Sequence, residues 1–199
     1  MAAVESNMRA LGTKAPDFDL PIANPGVDDL HGVRRSLSDY SDAPVLVVVF
    51  ICNHCPYVHH VEPSLIETAQ TYSEKGVQFV AICANDAERY PDDGFERMTE
   101  RAREKGYPFP YLQDEDQTVA QAYNAACTPD FYVFDDERTL VYRGRYDETR
   151  PNQGTAHGGD LHEALDAALE GTVLPKEEQH PSIGCSIKWK PGREPASTA

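Results

Sequence analysis

Apolar runs and helical spacings alternate along this chain. Residues 45–51 (Val-Leu-Val-Val-Val-Phe-Ile) and 77–83 (Val-Gln-Phe-Val-Ala-Ile-Cys) are rich in β-branched side chains and almost unbroken by polar ones. Such runs predict strands covered on both faces of a sheet. Between them Val58, Val61, Leu65, Ala69 and Tyr72 recur every three or four residues, which predicts a helix from 56 to about 75, stopped by Gly76. Pro56 falls in the first turn, where a missing N–H costs nothing. Pro63 removes the bond to the His59 carbonyl and is expected to kink the helix.

Beyond the second strand, Phe95, Met98 and Ala102 share one face of a helix expected over 92–105 and ended by Gly106. Asp114-Glu115-Asp116-Gln117 reads as a capping box for a short helix through Tyr123. Runs at 131–135 and 139–146, joined by the charged turn Asp136-Glu137-Arg138, read as antiparallel strands. After a loop over 147–159, Leu161, Leu165, Ala168 and Leu169 mark a last helix, with Gly171 after its end. The order β, α, β, α, α, β, β, α predicts an α/β domain whose central strands are parallel and whose last pair is a hairpin. Ile183, Ile187 and Trp189 make 183–189 too apolar for a solvated tail, so this segment is expected to dock on the domain; 191–199 is expected to be flexible.

Length and charge narrow the function. A chain of 199 residues is expected to form one domain, 1–190, with an N-terminal extension and the docked tail. Its 33 acidic residues against 18 basic ones repel phosphates and anionic lipid, so neither nucleic acid nor membrane is expected as a partner. No apolar run is long enough to span a bilayer, and no basic segment leads into an apolar one near Met1, so a cytoplasmic, reducing setting is expected. Five cysteines is an odd number, which argues against a fully paired secreted framework.

Within that setting, Cys52-Asn53-His54-Cys55 stands at the junction of the first strand and the first helix. Two thiols three positions apart can close into a small disulfide ring and reopen. A helix N-terminus favours a thiolate, because its free N–H groups and the macrodipole point there. In a reducing compartment such a pair is catalytic more often than structural. The expected cycle has an exposed Cys52 thiolate attacking a disulfide, with Cys55 resolving the mixed disulfide. An imidazole at His54, beside the first sulfur, would lower its pKa and make the couple more oxidising.

These residues resemble the thioredoxin superfamily, and more narrowly its peroxiredoxin-like AhpC/TSA redoxins that carry a CxxC. The resemblance rests on Lys14-Ala15-Pro16-Asp17-Phe18-Asp19-Leu20, on Phe50 to Val58 around the cysteines, and on Cys127-Thr128-Pro129-Asp130-Phe131. The tail Ile183-Gly184-Cys185-Ser186-Ile187-Lys188-Trp189 resembles the same branch. What it implies is a thioredoxin-like fold, a central mixed sheet flanked by helices, and a thiol–disulfide oxidoreductase that needs no cofactor. It also implies a cis-Pro129 beside the sulfurs, with Thr128 offering its backbone to an extended substrate. Protein or small-molecule disulfides and thiols, and a separate reductant, are the implied partners.

Two departures bear on the chemistry. Peroxiredoxins place their peroxide-attacking cysteine where Cys55 stands and a hydroxyl residue where Cys52 stands; Arg143 and Arg145 are the candidates for the arginine they also use. Thioredoxins carry a buried carboxylate six residues before the first cysteine, where this chain has Leu46. A peroxidase using Cys55 is therefore one alternative, and a non-catalytic redox-sensing or metal-binding module another. His59 and His60 extend the pair to C-x2-C-x3-H-H, but both follow Cys55 on one short helix and only one can share its face, so no metal site is expected. Cys83 reads as a core thiol. Cys127, pointing away from the sulfurs by strand alternation, and Cys185 read either as inert or as a pair brought within bridging distance of each other by the docked tail.

Overall fold

The computed structural model describes residues 3–195. Its strands and helices are, in chain order, β1 (Ala3–Glu5), β2 (Asp19–Pro21), β3 (Arg34–Ser36), β4 (Val45–Phe50), α1 (Pro56–Ser73), β5 (Val77–Cys83), α2 (Phe95–Lys105) and β6 (Tyr111–Gln113). There follow α3 (Thr118–Tyr123), β7 (Cys127–Thr128), β8 (Asp130–Phe134), β9 (Leu140–Gly144), α4 (Gly159–Leu169) and β10 (Ile183–Ser186).

The central sheet runs β6-β5-β4-β8-β9. Strands β4, β5 and β6 are parallel, and β8 and β9 run antiparallel to them. Every residue of β4 is buried, and its alternation divides the core. Val45, Val47 and Val49 face α1, α2 and α4, meeting Val58, Val61, Leu65, Met98 and Leu165. Leu46, Val48 and Phe50 face the other layer, meeting Phe18, Leu20, Tyr40, Val119 and Tyr123. A strand sandwiched in this way has no solvent face to pattern, which is why it reads as a continuous apolar run.

Helix α1 contains both Pro56 and Pro63. The short helix α3 is capped differently from a capping box. Asp116 accepts the Thr118 N–H, and the buried Asp114 accepts those of Val119 (3.3 Å) and Ala120 (2.7 Å). Burial still pushes the Asp114 carboxyl up to about 6, against those backbone donors.

A second, small sheet runs β1-β10-β7 and brings both ends of the described chain to one place. Strand β10 pairs antiparallel with β1 (Ala3↔Cys185) on one side and with β7 (Cys185↔Thr128) on the other. The following residues are held as firmly. The Lys188 N–H donates to Asn85 Oδ1 (2.8 Å), and its carbonyl accepts from Asp86 N and Gln117 Nε2. Ile187 is buried against the β4 core and Trp189 packs beside it. Arg193 Nε donates to the Asp116 carbonyl; residues 196–199 of the expected flexible end lie outside the described residues. Among the described residues, no helix is long and apolar enough to cross a membrane.

Candidate active site

Strand β4 ends at Phe50, and Cys52 and Cys55 lie in the turn between it and α1, with Cys55 as the N-cap. Opposite them is the β7–β8 junction, where the Thr128–Pro129 peptide is cis. Thr128 reaches both sulfurs. Its Oγ1 is 3.5 Å from Cys52 Sγ, and its carbonyl oxygen is 3.2 Å from Cys55 Sγ, where it accepts the proton whenever Cys55 is a thiol. Cys52, Cys55, His54, Thr128 and Pro129 are thus gathered at one place.

Cys52 is not the exposed thiol that the sequence predicts. It is 1% accessible and Cys55 0%. Strand β10 lies across the β7–β8 junction, and the segment 85–93 closes the other side, with the Tyr90 ring stacked on His54 (centroids 5.5 Å apart, 11° between planes). The acidities also run opposite to expectation. Cys55 is pushed down to about 4, chiefly because the Cys52 thiol donates to it, helped against burial by Thr128, Cys185 and the Val58 N–H. Cys52 is pushed up, by giving its proton to that bond, by burial and by the nearby Asp93 carboxylate. The two thiols titrate as a coupled pair, in which Cys55 is the more acidic and Cys52 the less.

Asp93 is the residue that sequence reasoning missed. It is wholly buried, and its Oδ1 accepts the Asn53 N–H (2.7 Å) while its Oδ2 accepts from Asn85 Nδ2 (2.7 Å). His54 Nδ1 lies 2.6 Å from the same Oδ2. That contact is out of line for a hydrogen bond, and neither ring nitrogen finds another partner; we read it as a charge contact when the imidazole is protonated. A carboxylate thus reaches the dithiol from a loop 40 residues downstream of Asn53 rather than from β4, where Leu46 is core. The only local signal was the acidic pair Asp92-Asp93 ahead of a helix, which has the look of an ordinary N-terminal turn. Cys52, His54 and Asp93 also present a sulfur, a nitrogen and an oxygen within 4.8 Å of one another, a donor set able to hold a divalent ion. His59 and His60 are not part of it: His59 Nε2 meets the Asn53 carbonyl (2.5 Å), and His60 Nε2 meets Thr149 Oγ1 (2.8 Å).

The remaining cysteines correct a second expectation. Directly opposed residues of an antiparallel pair project to the same face. Cys185 is opposite Thr128, so it faces the Cys52–Cys55 pair; Cys127 is opposite Ser186 and faces away. The two are therefore not a pair with each other. Gly184 makes the approach possible, since a Cβ there would sit 2.0 Å from the Thr128 carbonyl oxygen. Arg143 and Arg145 are both engaged elsewhere, Arg143 with the Arg9 carbonyl and Gln179, Arg145 with Asp160. A cavity of about 220 Å³ opens beside Pro129, lined by Tyr57, His60, Arg145, Arg150 and His180 among others.

Asp130, next to the cis bond, is wholly buried. Its Oδ2 accepts the Tyr132 hydroxyl (3.0 Å), but its Oδ1 has no partner. Burial pushes this carboxyl from 3.8 up to about 7, against the Tyr132 hydroxyl and other donors. A folded-state pKa above the unfolded one gives stability that is complete below about pH 4 and is lost as pH rises through 7. Asp130→Asn should therefore gain on the parent between pH 4 and pH 8 by up to ~4 kcal/mol, measured by urea unfolding at each pH. A constant difference across that range would show that Asp130 stays ionised when folded.

Against this geometry, residues 11–143 match the model of the AhpC/TSA family. The chain is 53% identical to an uncharacterized conserved protein from Geobacillus kaustophilus, whose crystal structure superposes with a TM-score of 0.90 over 96% of this chain and 98% of that one. It is 29% identical, over 131 residues, to the thiol-disulfide oxidoreductase ResA of Geobacillus kaustophilus (strain HTA426), spanning 66% of this chain and 67% of that protein. The thioredoxin domain of a thiol-disulfide oxidoreductase from Bacteroides vulgatus shares the fold, with a TM-score of 0.58 at 18% identity over 79% of this chain and 99% of that one. With two thirds of its length matched by the family model and a thioredoxin-like sheet beneath the paired cysteines, the chain belongs to the AhpC/TSA family of redoxins.

Proposed function

We propose that this protein is a thiol–disulfide oxidoreductase that cycles Cys52 and Cys55 between dithiol and disulfide in a reducing, cytoplasmic setting. The observation that carries this reading is the meeting of both sulfurs on one residue: Thr128, beside the cis-Pro129 bond, contacts Cys52 through its hydroxyl and Cys55 through its carbonyl. The similarity to a thiol-disulfide oxidoreductase supports the same class of reaction.

The chemistry follows from the proton. When Cys52 attacks a disulfide sulfur, the Cys55 thiolate takes up its proton within the coupled pair. A mixed disulfide then joins Cys52 to the substrate, and the departing thiolate takes a proton from solvent. The Thr128 side chain, Cys185 and the Val58 N–H favour a thiolate on Cys55, which gives up that proton as it attacks Cys52; the second substrate sulfur leaves as a thiolate and takes the proton. This answers the absence of a carboxylate at Leu46: the resolving sulfur carries its own donors. An external reductant then reopens the Cys52–Cys55 disulfide and completes the cycle, and access requires the cover over Cys52 to move.

The test is reduction of insulin disulfides by the protein with dithiothreitol as reductant, together with Cys55→Ser. The parent should accelerate insulin precipitation, and Cys55→Ser should accumulate a mixed disulfide through Cys52 that gel mobility reveals. No acceleration, and no trapped species, would refute the reading. His54 enters through Asp93. Without the imidazole, Asp93 loses its 2.6 Å contact with His54 beside Cys52, so His54→Ala should make the couple more reducing by about 30 mV, or roughly 1.4 kcal/mol for two electrons. An unchanged potential in glutathione buffers would leave His54 a stacking partner of Tyr90 and nothing more.

A second reading is favoured by the acidity of Cys55, the position at which peroxiredoxins attack peroxide. Against it, neither Arg143 nor Arg145 is directed at the sulfurs. Stopped-flow measurement of peroxide consumption by the reduced protein separates the two.

A further inference from the structure

Cys185 has no part in that two-sulfur cycle, yet it is built into the site. It is buried (4% accessible) in the same apolar cluster as Cys52 and Cys55. The register of β10 on β7 sets it opposite Thr128, whose hydroxyl and carbonyl contact the two other sulfurs. Gly184, where no side chain fits, lets β10 lie directly against the Thr128–Pro129 peptide. Cys185 and Cys55 also act on each other's acidity: Cys185 helps hold Cys55 down, while burial and Cys55 push Cys185 up to about 12. Cys83 and Cys127 show no such engagement with the pair, lying at the end of β5 and on the far side of β7.

From this arrangement we infer that Cys185 is a third redox thiol of the site, exchanging with the Cys52–Cys55 disulfide, an inference that rests on the formation of that disulfide proposed above. The Cys185 sulfur attacks Cys55 Sγ. The Cys55–Cys185 bond forms as the Cys52–Cys55 bond breaks, and Cys52 leaves as a thiolate. The proton given up by Cys185 ends on Cys52, and no external oxidant or reductant is consumed. Formation of the first disulfide prepares the second step, because Cys55 then no longer carries the negative charge that opposes ionisation of Cys185. The site thus has two one-disulfide states. In one, β10 is free of covalent ties; in the other, it is stapled to the start of α1 and Cys52 is a thiol again.

Peptide mapping reads these states directly. Trypsin leaves Cys52 and Cys55 together in peptide 36–75 and Cys185 in peptide 177–188, so Cys52–Cys55 is an internal bond and Cys55–Cys185 a cross-link. Cys52→Ser, oxidised with diamide and blocked with iodoacetamide, should lose two of its four remaining thiols and yield 36–75 joined to 177–188 in most molecules. The parent in glutathione redox buffers should show the cross-linked peptide beside the internal disulfide. Cys52→Ser that keeps all four thiols, or joins Cys55 to any other peptide, overturns the inference. So does a parent protein with the internal disulfide alone at every poise. Insulin reduction keeps the two proposals separate: an active parent without the cross-link refutes only the third thiol, whereas cross-linking in an inactive protein supports it and refutes the function.

Discussion

Serine at position 52 is expected to bring disulfide reduction down to the uncatalysed rate, a loss of roughly a thousandfold or more. A serine hydroxyl can still donate to Cys55, so the fold and the charge on Cys55 should survive the change. What disappears is the sulfur that attacks. An alcohol is not a nucleophile at neutral pH without a strong base, and the nearest carboxylate, Asp93, is already occupied by the Asn53 N–H and the Asn85 amide. Cys55 cannot substitute, because its sulfur is enclosed by Thr128, Val58 and Cys185 at the foot of α1. Insulin reduction measured on Cys52→Ser and Cys55→Ser side by side decides the roles. Retained activity in Cys52→Ser, with activity lost and nothing trapped in Cys55→Ser, would reverse them.

The second large effect is expected from a methyl group. Gly184→Ala places a Cβ about where the Thr128 carbonyl oxygen already stands, at 2.0 Å, with the Thr128 carbonyl carbon at 2.7 Å. Both neighbours are backbone, so neither can rotate aside. Overpacking of this kind costs ~3 kcal/mol, and the least expensive relief is for β10 to lift off β7. That would raise the open population by roughly a hundredfold. Iodoacetamide should then alkylate Cys52 and Cys55 at least tenfold faster than in the parent, and the amides of 183–186 should lose their exchange protection. Alkylation at the parental rate would mean that the main chain absorbs the methyl without uncovering the thiols.

How far the sequence foretold this molecule depends on the range of each interaction. Strands β4 and β5 and helix α1 were legible because their partners flank them, and period and composition record that burial locally. That Cys52, Cys55, Thr128 and Pro129 lie together was legible through their resemblance to a redoxin sequence. Strand β6 was not: it is three residues long, follows Pro108 and Pro110, and is defined only by pairing with β5. Asp93 was hidden for the same reason, since nothing within its own turn records that Asn53 and Asn85 enclose it. Cys185 illustrates the limit most clearly. Alternation correctly turned Cys127 away from the sulfurs, yet the face taken by Cys185 depended on a register between β10 and β7 that no local pattern encodes.

That small sheet also bears on how the molecule is made. Ala3 pairs with Cys185, so β10 joins a strand that precedes it by nearly the whole described chain. Contacts so distant in sequence carry the largest loop-closure cost and form late. During synthesis the five-stranded sheet, the dithiol and the cis-Pro loop all leave the ribosome before β10 does. Until β10 arrives, the nascent chain presents Cys52 and Cys55 uncovered on the side of the cis-Pro loop, and every newly made copy passes through a state more reactive toward disulfides than the finished protein.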